Sequence, residues 1–255
     1  MATALDICVQ RYTGSFGASA DTLDVAITAV DLDHAFVRLL GTSFGSGGEV
    51  STNLDSNTDD LGATVELTST TNVRITRPSS AKDTDFRYSF EVWAYLGSAG
   101  GPNEFIVRDH AEVSILTSNT SIVDTAVASI ANTSDIVCIL TGQRCTASGK
   151  NNSQLMHSLE FNTGNSRVTV ARGGSGGTST VTFAVVEFTG SNWTVNPVSY
   201  SFTNNGTNNA LAHGNSAITS LSDWDHAFIV GSMRTSGINN GLDDAGWHVW
   251  PHTSN

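Results

Sequence analysis

Short bursts of alternating apolar and polar residues run along the chain. Leu23, Val25 and Ile27 share one face of an extended stretch, with Asp24, Ala26 and Thr28 on the other. Val73 and Ile75 oppose Arg74 and Thr76, while Tyr88, Phe90, Val92 and Ala94 oppose Ser89 and Glu91. A period of two marks a half-buried β-strand, because successive side chains leave opposite faces of the pleat. Asn162-Thr163-Gly164-Asn165 carries the residue types of a hairpin turn. No segment has an apolar stripe at helical spacing. The pattern predicts an all-β protein of antiparallel strands joined by hairpins and polar loops.

The strands recur in a fixed order. DLDHAF (31–36) returns as DWDHAF (223–228), and a middle counterpart, NTSDIV (132–137), falls halfway between them. ELTSTTNVRITR (66–77) pairs with EFNTGNSRVTVAR (160–172), and YSFEVWAYLG (88–97) with VTFAVVEFTG (181–190). Another extended stretch precedes each copy: DICVQRYTGSF (6–16), EFIVRDHAEVSIL (104–116) and NWTVNPVSYSF (192–202). A period of about 95 residues is too long for a solenoid and suits a small β-sandwich. The expected architecture is tandem antiparallel β-sandwich modules over residues 1–103, 104–191 and 192–255, with about six strands in each complete copy.

The third copy is expected to be incomplete. DDAGWHVW (243–250) aligns with DDLGATVE (59–66), but no counterparts of VRITR and YSFEVWAY follow. A sandwich without those strands exposes a sheet edge. The expectation is that a neighbouring subunit or another protein completes it by strand addition, in a closed homo-oligomer with a trimer favoured.

Composition narrows the partners. Charged residues make up 14% of the 255, against ~25% in an average soluble protein. The net charge is −12, and lysine occurs only at Lys82 and Lys150. A nucleic-acid surface must replace phosphate counterions with Arg and Lys, so nucleic acid is excluded as a partner. No run approaches the ~18 apolar residues of a membrane helix, and membrane insertion is not expected. MATALDICVQRYTG, at the N-terminus, lacks the basic start and apolar stretch of a signal peptide. Cys8, Cys138 and Cys145 cannot all pair within one chain, and Cys138 sits in the apolar run IVCIL, where a buried thiol is expected. The chain is therefore read as folding in a reducing cytoplasm.

Candidate chemistry thins out once the repeat is recognised. Two acids and a histidine in D-x-D-H suggest a metal or acid–base site, but the middle copy has N-T-S-D there. Asp, Asn and Ser suit a turn entering a strand, because their side chains bond nearby backbone groups. The motif is accordingly read as scaffold. Asp55, Asn57, Asp59 and Glu66 echo a calcium loop, yet Asp60 stands where such a loop needs glycine, so a solvated acidic loop is preferred. RGGSGG (172–177) lacks the Lys-Ser/Thr of a phosphate cradle and reads as a flexible hairpin loop. The pairs Asp83/Asp85 and Asp243/Asp244 read as solvated turns rather than glycosidase carboxylates. No catalytic residue, metal ligand or cofactor site is assigned. Trp93 lies within a repeat strand and reads as a packing residue. Trp193, Trp224, Trp247 and Trp250 concentrate in the last quarter, where they stand as sugar-stacking or interface candidates or as a locally aromatic core.

VTFAVVEF (181–188), the opening VQR (9–11) and VRITR before an aromatic-rich strand resemble β-sandwich modules repeated in tailed-phage and prophage virion proteins. The chain departs from them at Tyr12, where similar modules often have glycine, and in its short third copy. The resemblance implies a non-enzymatic structural component of a virion, of tail, fibre, neck or head-decoration type. Such a particle is assembled in the host cytoplasm and released by lysis. Its implied partners are further copies of itself and other virion proteins. The alternative is a module recognising a host surface glycan or receptor. Three loops, 44–62, 146–154 and 235–246, follow the same repeat strand and are the expected recognition tips.

Overall fold

The computed structural model describes residues 6–17, 20–44, 62–77, 86–116, 118–145, 155–197 and 228–232. Six strands form the first unit: β1 (Ile7–Phe16), β2 (Thr22–Ala26), β3 (Ala35–Phe44), β4 (Gly62–Ser69), β5 (Asn72–Thr76) and β6 (Phe86–Tyr95). Six more form the second: β7 (Ile106–Ile115), β8 (Ser121–Ala126), β9 (Ile136–Cys145), β10 (His157–Asn162), β11 (Arg167–Arg172) and β12 (Ser179–Glu187). Every pairing between them is antiparallel.

Both units are wired alike. In the first, a front sheet β1-β6-β3 and a back sheet β2-β5-β4 enclose Val37, Val65, Val73, Ile75, Phe90 and Val92. In the second, β7-β12-β9 and β8-β11-β10 enclose Val113, Ile115, Val168, Val170, Val181 and Phe183. The period-two expectation holds in these cores, since Val73 and Ile75 are fully buried while Arg74 between them is exposed. Asn162 opens the expected β10–β11 hairpin, its side chain accepting from Gly164 N at 3.0 Å.

One device is repeated residue for residue. Arg77 directly follows β5, Arg172 ends β11, and both are buried. Arg77 donates to the carbonyls of Gly17 and Ala20, at 3.2 and 2.7 Å. Arg172 donates to those of Leu116 and Asn119, at 2.9 and 3.1 Å. Each guanidinium thereby holds the link between the first two strands of its sandwich and satisfies carbonyls that the loop would otherwise bury unpaired.

The two sandwiches are joined by a shared sheet. Strand β4 pairs with β9 through Gly62↔Arg144 and Ala63↔Gln143, producing the six-stranded order β2-β5-β4-β9-β12-β7. Strand β12 is buried at every position. Val181, Phe183 and Val185 face the second core, while Ala184 and Val186 face a third apolar cluster with Phe36, Tyr95, Phe105, Val107, Ile139 and Phe188. Burial on both faces accounts for the almost unbroken apolar run in VTFAVVEF.

RGGSGG does not close a hairpin. Its flanking strands β11 and β12 belong to different sheets, so it arches from one layer to the other, with Gly176 and Gly177 at φ 105° and 70°. Of the third copy, residues 192–197 and 228–232 are described. Phe228 and Val230 pack on the third cluster, and Leu159 N of β10 donates to Ser232 Oγ at 2.8 Å.

Candidate functional site

The D-x-D-H motif forms a short 3₁₀ turn, Leu32–His34, that leads into β3. Asp31 caps it, accepting from Asp33 N at 3.1 Å, and its other oxygen lies 3.0 Å from His34 Nδ1. The same turn recurs at Thr133–Asp135 before β9, where Asn132 accepts from Ser134 N at 3.1 Å and donates to Asp135 at 2.6 Å. A cap that recurs without the histidine is explained by backbone satisfaction alone. Toward the second unit, His34 Nε2 stands 3.9 Å from Glu104, too far for a direct hydrogen bond. The contact therefore adds at most a Coulombic attraction. Glu104 itself accepts from Thr189 at 2.7 Å and from Gly100 N at 3.0 Å. Thr189 leads in holding its carboxyl below the usual range, helped by Gly100 and the charges of His34 and Arg108.

A pair of carboxyls meets where the two sandwiches touch. Glu66 of β4 and Glu112 of β7 line a cavity of about 130 Å³ with His110, Thr141, Thr182 and Thr68. Burial, and then the hydrogen bond and charge of Glu112, push the Glu66 carboxyl up to about 7. Arg144 of β9, 4.0 Å from Glu112, and Arg74 of β5 oppose that rise. Two acids that share a proton can hold a junction together, or swap a proton with a bound group. Among the described residues, no three His, Cys, Asp or Glu side chains gather into a metal site.

A second polar cluster lies inside the second sandwich. His157 Nε2 is 2.7 Å from Ser179 Oγ, and His157 Nδ1 is 3.3 Å from Gln143 Oε1. The serine oxygen also accepts from Arg172 at 3.0 Å. Ser179 therefore donates to Nε2, and the ring proton on Nδ1 points to Gln143. Burial, then the Arg172 charge, push the His157 pKa down to about 3, so the ring is neutral. The distances are those of a nucleophile and its base, but Ser179 and His157 are fully buried. With the serine oxygen already held by arginine, the cluster ties β9, β10, β11 and β12 together. It is a brace.

Aromatic side chains gather at the third cluster. Phe36 stacks on Trp93 at 6.1 Å, Trp93 meets Phe228 at 5.4 Å, and Phe188 meets Trp193 edge-on at 4.9 Å. Trp93 also donates to Glu91 at 2.9 Å, and Arg11 does so at 2.7 Å. Trp193 is thus half-buried in an aromatic core, its indole N–H buried without a partner among the described residues. Trp224, Trp247 and Trp250 lie outside the described residues, as do most of the acidic loop, the pairs Asp83/Asp85 and Asp243/Asp244, and the interiors of the three candidate recognition loops. Glu66, the last member of the calcium echo, is a β4 residue paired across from Arg74.

All three cysteines are free, and burial pushes the Cys138 thiol up to about 12, which keeps it protonated and unreactive. The sequence pattern had not singled out His110, Glu112, His157 or Ser179. Each sits in an ordinary strand pattern and acquires its partners from strands or turns distant in sequence. Comparison with protein-family models, with curated proteins and with solved structures finds no match to this chain. Among the described residues, no helix is long and apolar enough to cross a membrane.

Proposed function

We propose that the chain is a non-enzymatic structural component of a tailed-phage virion, of tail, fibre, neck or head-decoration type, assembled in the host cytoplasm and released by lysis. One observation carries most of the weight. Two like-wired sandwiches share a six-stranded sheet, and their paired reactive groups serve as caps, braces and junction contacts. A polymerising or load-bearing particle needs such rigid tandem modules, and the motif resemblance points the same way. Its partners on this reading are other virion proteins and further copies of itself in a closed homo-oligomer, with a trimer favoured by analogy with fibres. Antibody against the chain should label purified virions at one defined position in negative-stain images. Unlabelled particles from a host that expresses the chain would remove the proposal. The double substitution Asp33→Ala with His34→Ala should lower stability and leave no polysaccharide hydrolysis to lose.

A second reading is host recognition. The β3–β4 and β9–β10 connections leave equivalent ends of equivalent strands, as variable tips on a common scaffold would. Exchanging loops 44–62, 146–154 and 235–246 should then alter attachment to a surface glycan or receptor. Unchanged attachment after all three exchanges would exclude this reading.

A further inference from the structure

LLGT (39–42) of β3 stands where LTGQ (140–143) stands on β9. On β9 the glycine is required by the strand that crosses it. A Cβ at Gly142 would lie 2.3 Å from Ala63 O and 2.6 Å from Thr64 Cα. Opposite it, Gly62 takes φ +92°, and a Cβ there would lie 2.2 Å from Gln143 O. The two modules thus meet backbone to backbone, with a glycine on each side.

Gly41 has the same place on β3 and no such neighbour. Among the described residues, nothing lies within 4 Å of a Cβ built there. Both strands carry a bulge, but it falls at Leu40 and Thr141, and neither glycine has a positive φ. The bulge therefore does not demand glycine. A glycine inside a strand weakens it, and its remaining common purpose is the close approach of another backbone. Leu40, beside it, is 46% exposed, whereas its counterpart Thr141 is 5% exposed under β4. Among the described residues β3 is an edge strand of its sheet, and an apolar edge invites pairing.

We infer that the β3 edge at Leu40–Gly41 is a docking site for a second copy of this chain, which lays a β4-type strand across Gly41 as β4 lies across Gly142. The inference rests on the assembly reading above and specifies its contact surface. The sequence supplies a matching segment. DDAGWHVW (243–250) repeats DDLGATVE and puts Gly246 where Gly62 stands, although those residues lie outside the described ones. An interface between two different surfaces of the same chain is head-to-tail, and it closes into a ring or continues as a fibre according to the rotation it imposes.

The test uses the full chain and sedimentation over the micromolar range. Wild type should self-associate. Gly41→Val should weaken that association by about tenfold or more, the effect of a side chain forced into a close backbone contact. Measured below the association range, its thermal midpoint should not fall, because the added side chain meets nothing among the described residues. Leu40→Lys should weaken association in the same way and guards against a folding defect in the first variant. Gly246→Val should also fail to assemble alone. Mixing Gly41→Val with Gly246→Val should restore a one-to-one complex that grows no further, since each variant keeps the surface the other lacks. A wild-type monomer throughout the range, association unaffected by Gly41→Val, or a mixture that stays monomeric would each overturn the inference. Virion labelling tests the parent reading separately, so the two can fail independently.

Discussion

At the scale of single residues, several buried polar side chains among the described residues satisfy backbone groups that folding takes out of water. Arg77 and Arg172 are the clearest case. Removing either guanidinium leaves buried carbonyls unpaired, and Arg77→Ala or Arg172→Ala should each cost on the order of 1–3 kcal/mol. Urea unfolding would read that cost. His157 makes a pH-dependent contribution with a definite sign. Its folded pKa, about 3, lies below the ordinary 6.5. The unfolded chain therefore binds the proton first. The stability from burying this ring neutral is fully present above pH 6.5 and is lost as pH falls toward 3, with a slope of up to about 1.4 kcal/mol per pH unit. His157→Gln should flatten that part of the urea midpoint against pH. An unchanged slope would mean that the ring is protonated in the folded state. The arginines were visible in the sequence as the last letters of VRITR and VTVAR. His157 was not, because nothing local distinguishes a histidine braced by Ser179 from one at a strand surface.

At the scale of elements, the alternating pattern located strands well wherever one face meets a core and the other meets water. Strands β2 and β5 follow it closely. It carried less information at β12, where both faces are covered and the run reads as continuous apolar sequence. Sheet order was also hidden, since alternation shows that a strand is half-buried but not which strand lies beside it. RGGSGG reads as a hairpin loop in the sequence for the same reason: glycines permit either path, and only the sheets that receive β11 and β12 decide between them. The turns entering β3 and β9 were legible, because their caps are short-range. Asp31→Ala should cost about 1 kcal/mol through the lost cap, and Asn132→Ala a similar amount. Gly142→Ala tests a long-range element contact. A methyl group 2.3 Å from Ala63 O must displace β4, so destabilisation of about 1–3 kcal/mol is expected from the overpacked contact. The same substitution at Gly41 should leave the monomer's unfolding unchanged.

For the whole molecule, the decisive feature is that the repeat does not give independent beads. β4 extends the front sheet of the next unit, and the aromatic cluster seals the seam, so the first two units should melt in a single transition. The Glu66–Glu112 pair makes that coupling depend on pH. Glu66 is faced by Glu112 from β7, by Arg144 from β9 and by Arg74 from β5. His110, Thr68, Thr141 and Thr182 complete the cavity around it. Its folded pKa, about 7, lies above the ordinary 4.5, so the folded junction holds a proton that the unfolded chain has released. This contribution is fully present below pH 4.5 and is lost as pH rises through 7, opposite in sign to that of His157. Calorimetric scans should accordingly show one transition near pH 5 and a broader or split one near pH 8. Glu66→Gln keeps the hydrogen-bonding shape of the protonated acid without its titration, so it should preserve the single transition at the higher pH. If Glu66→Gln and wild type separate into two transitions at the same pH, the carboxyl pair does not control the junction. The shared sheet and the aromatic cluster would then carry the coupling without it.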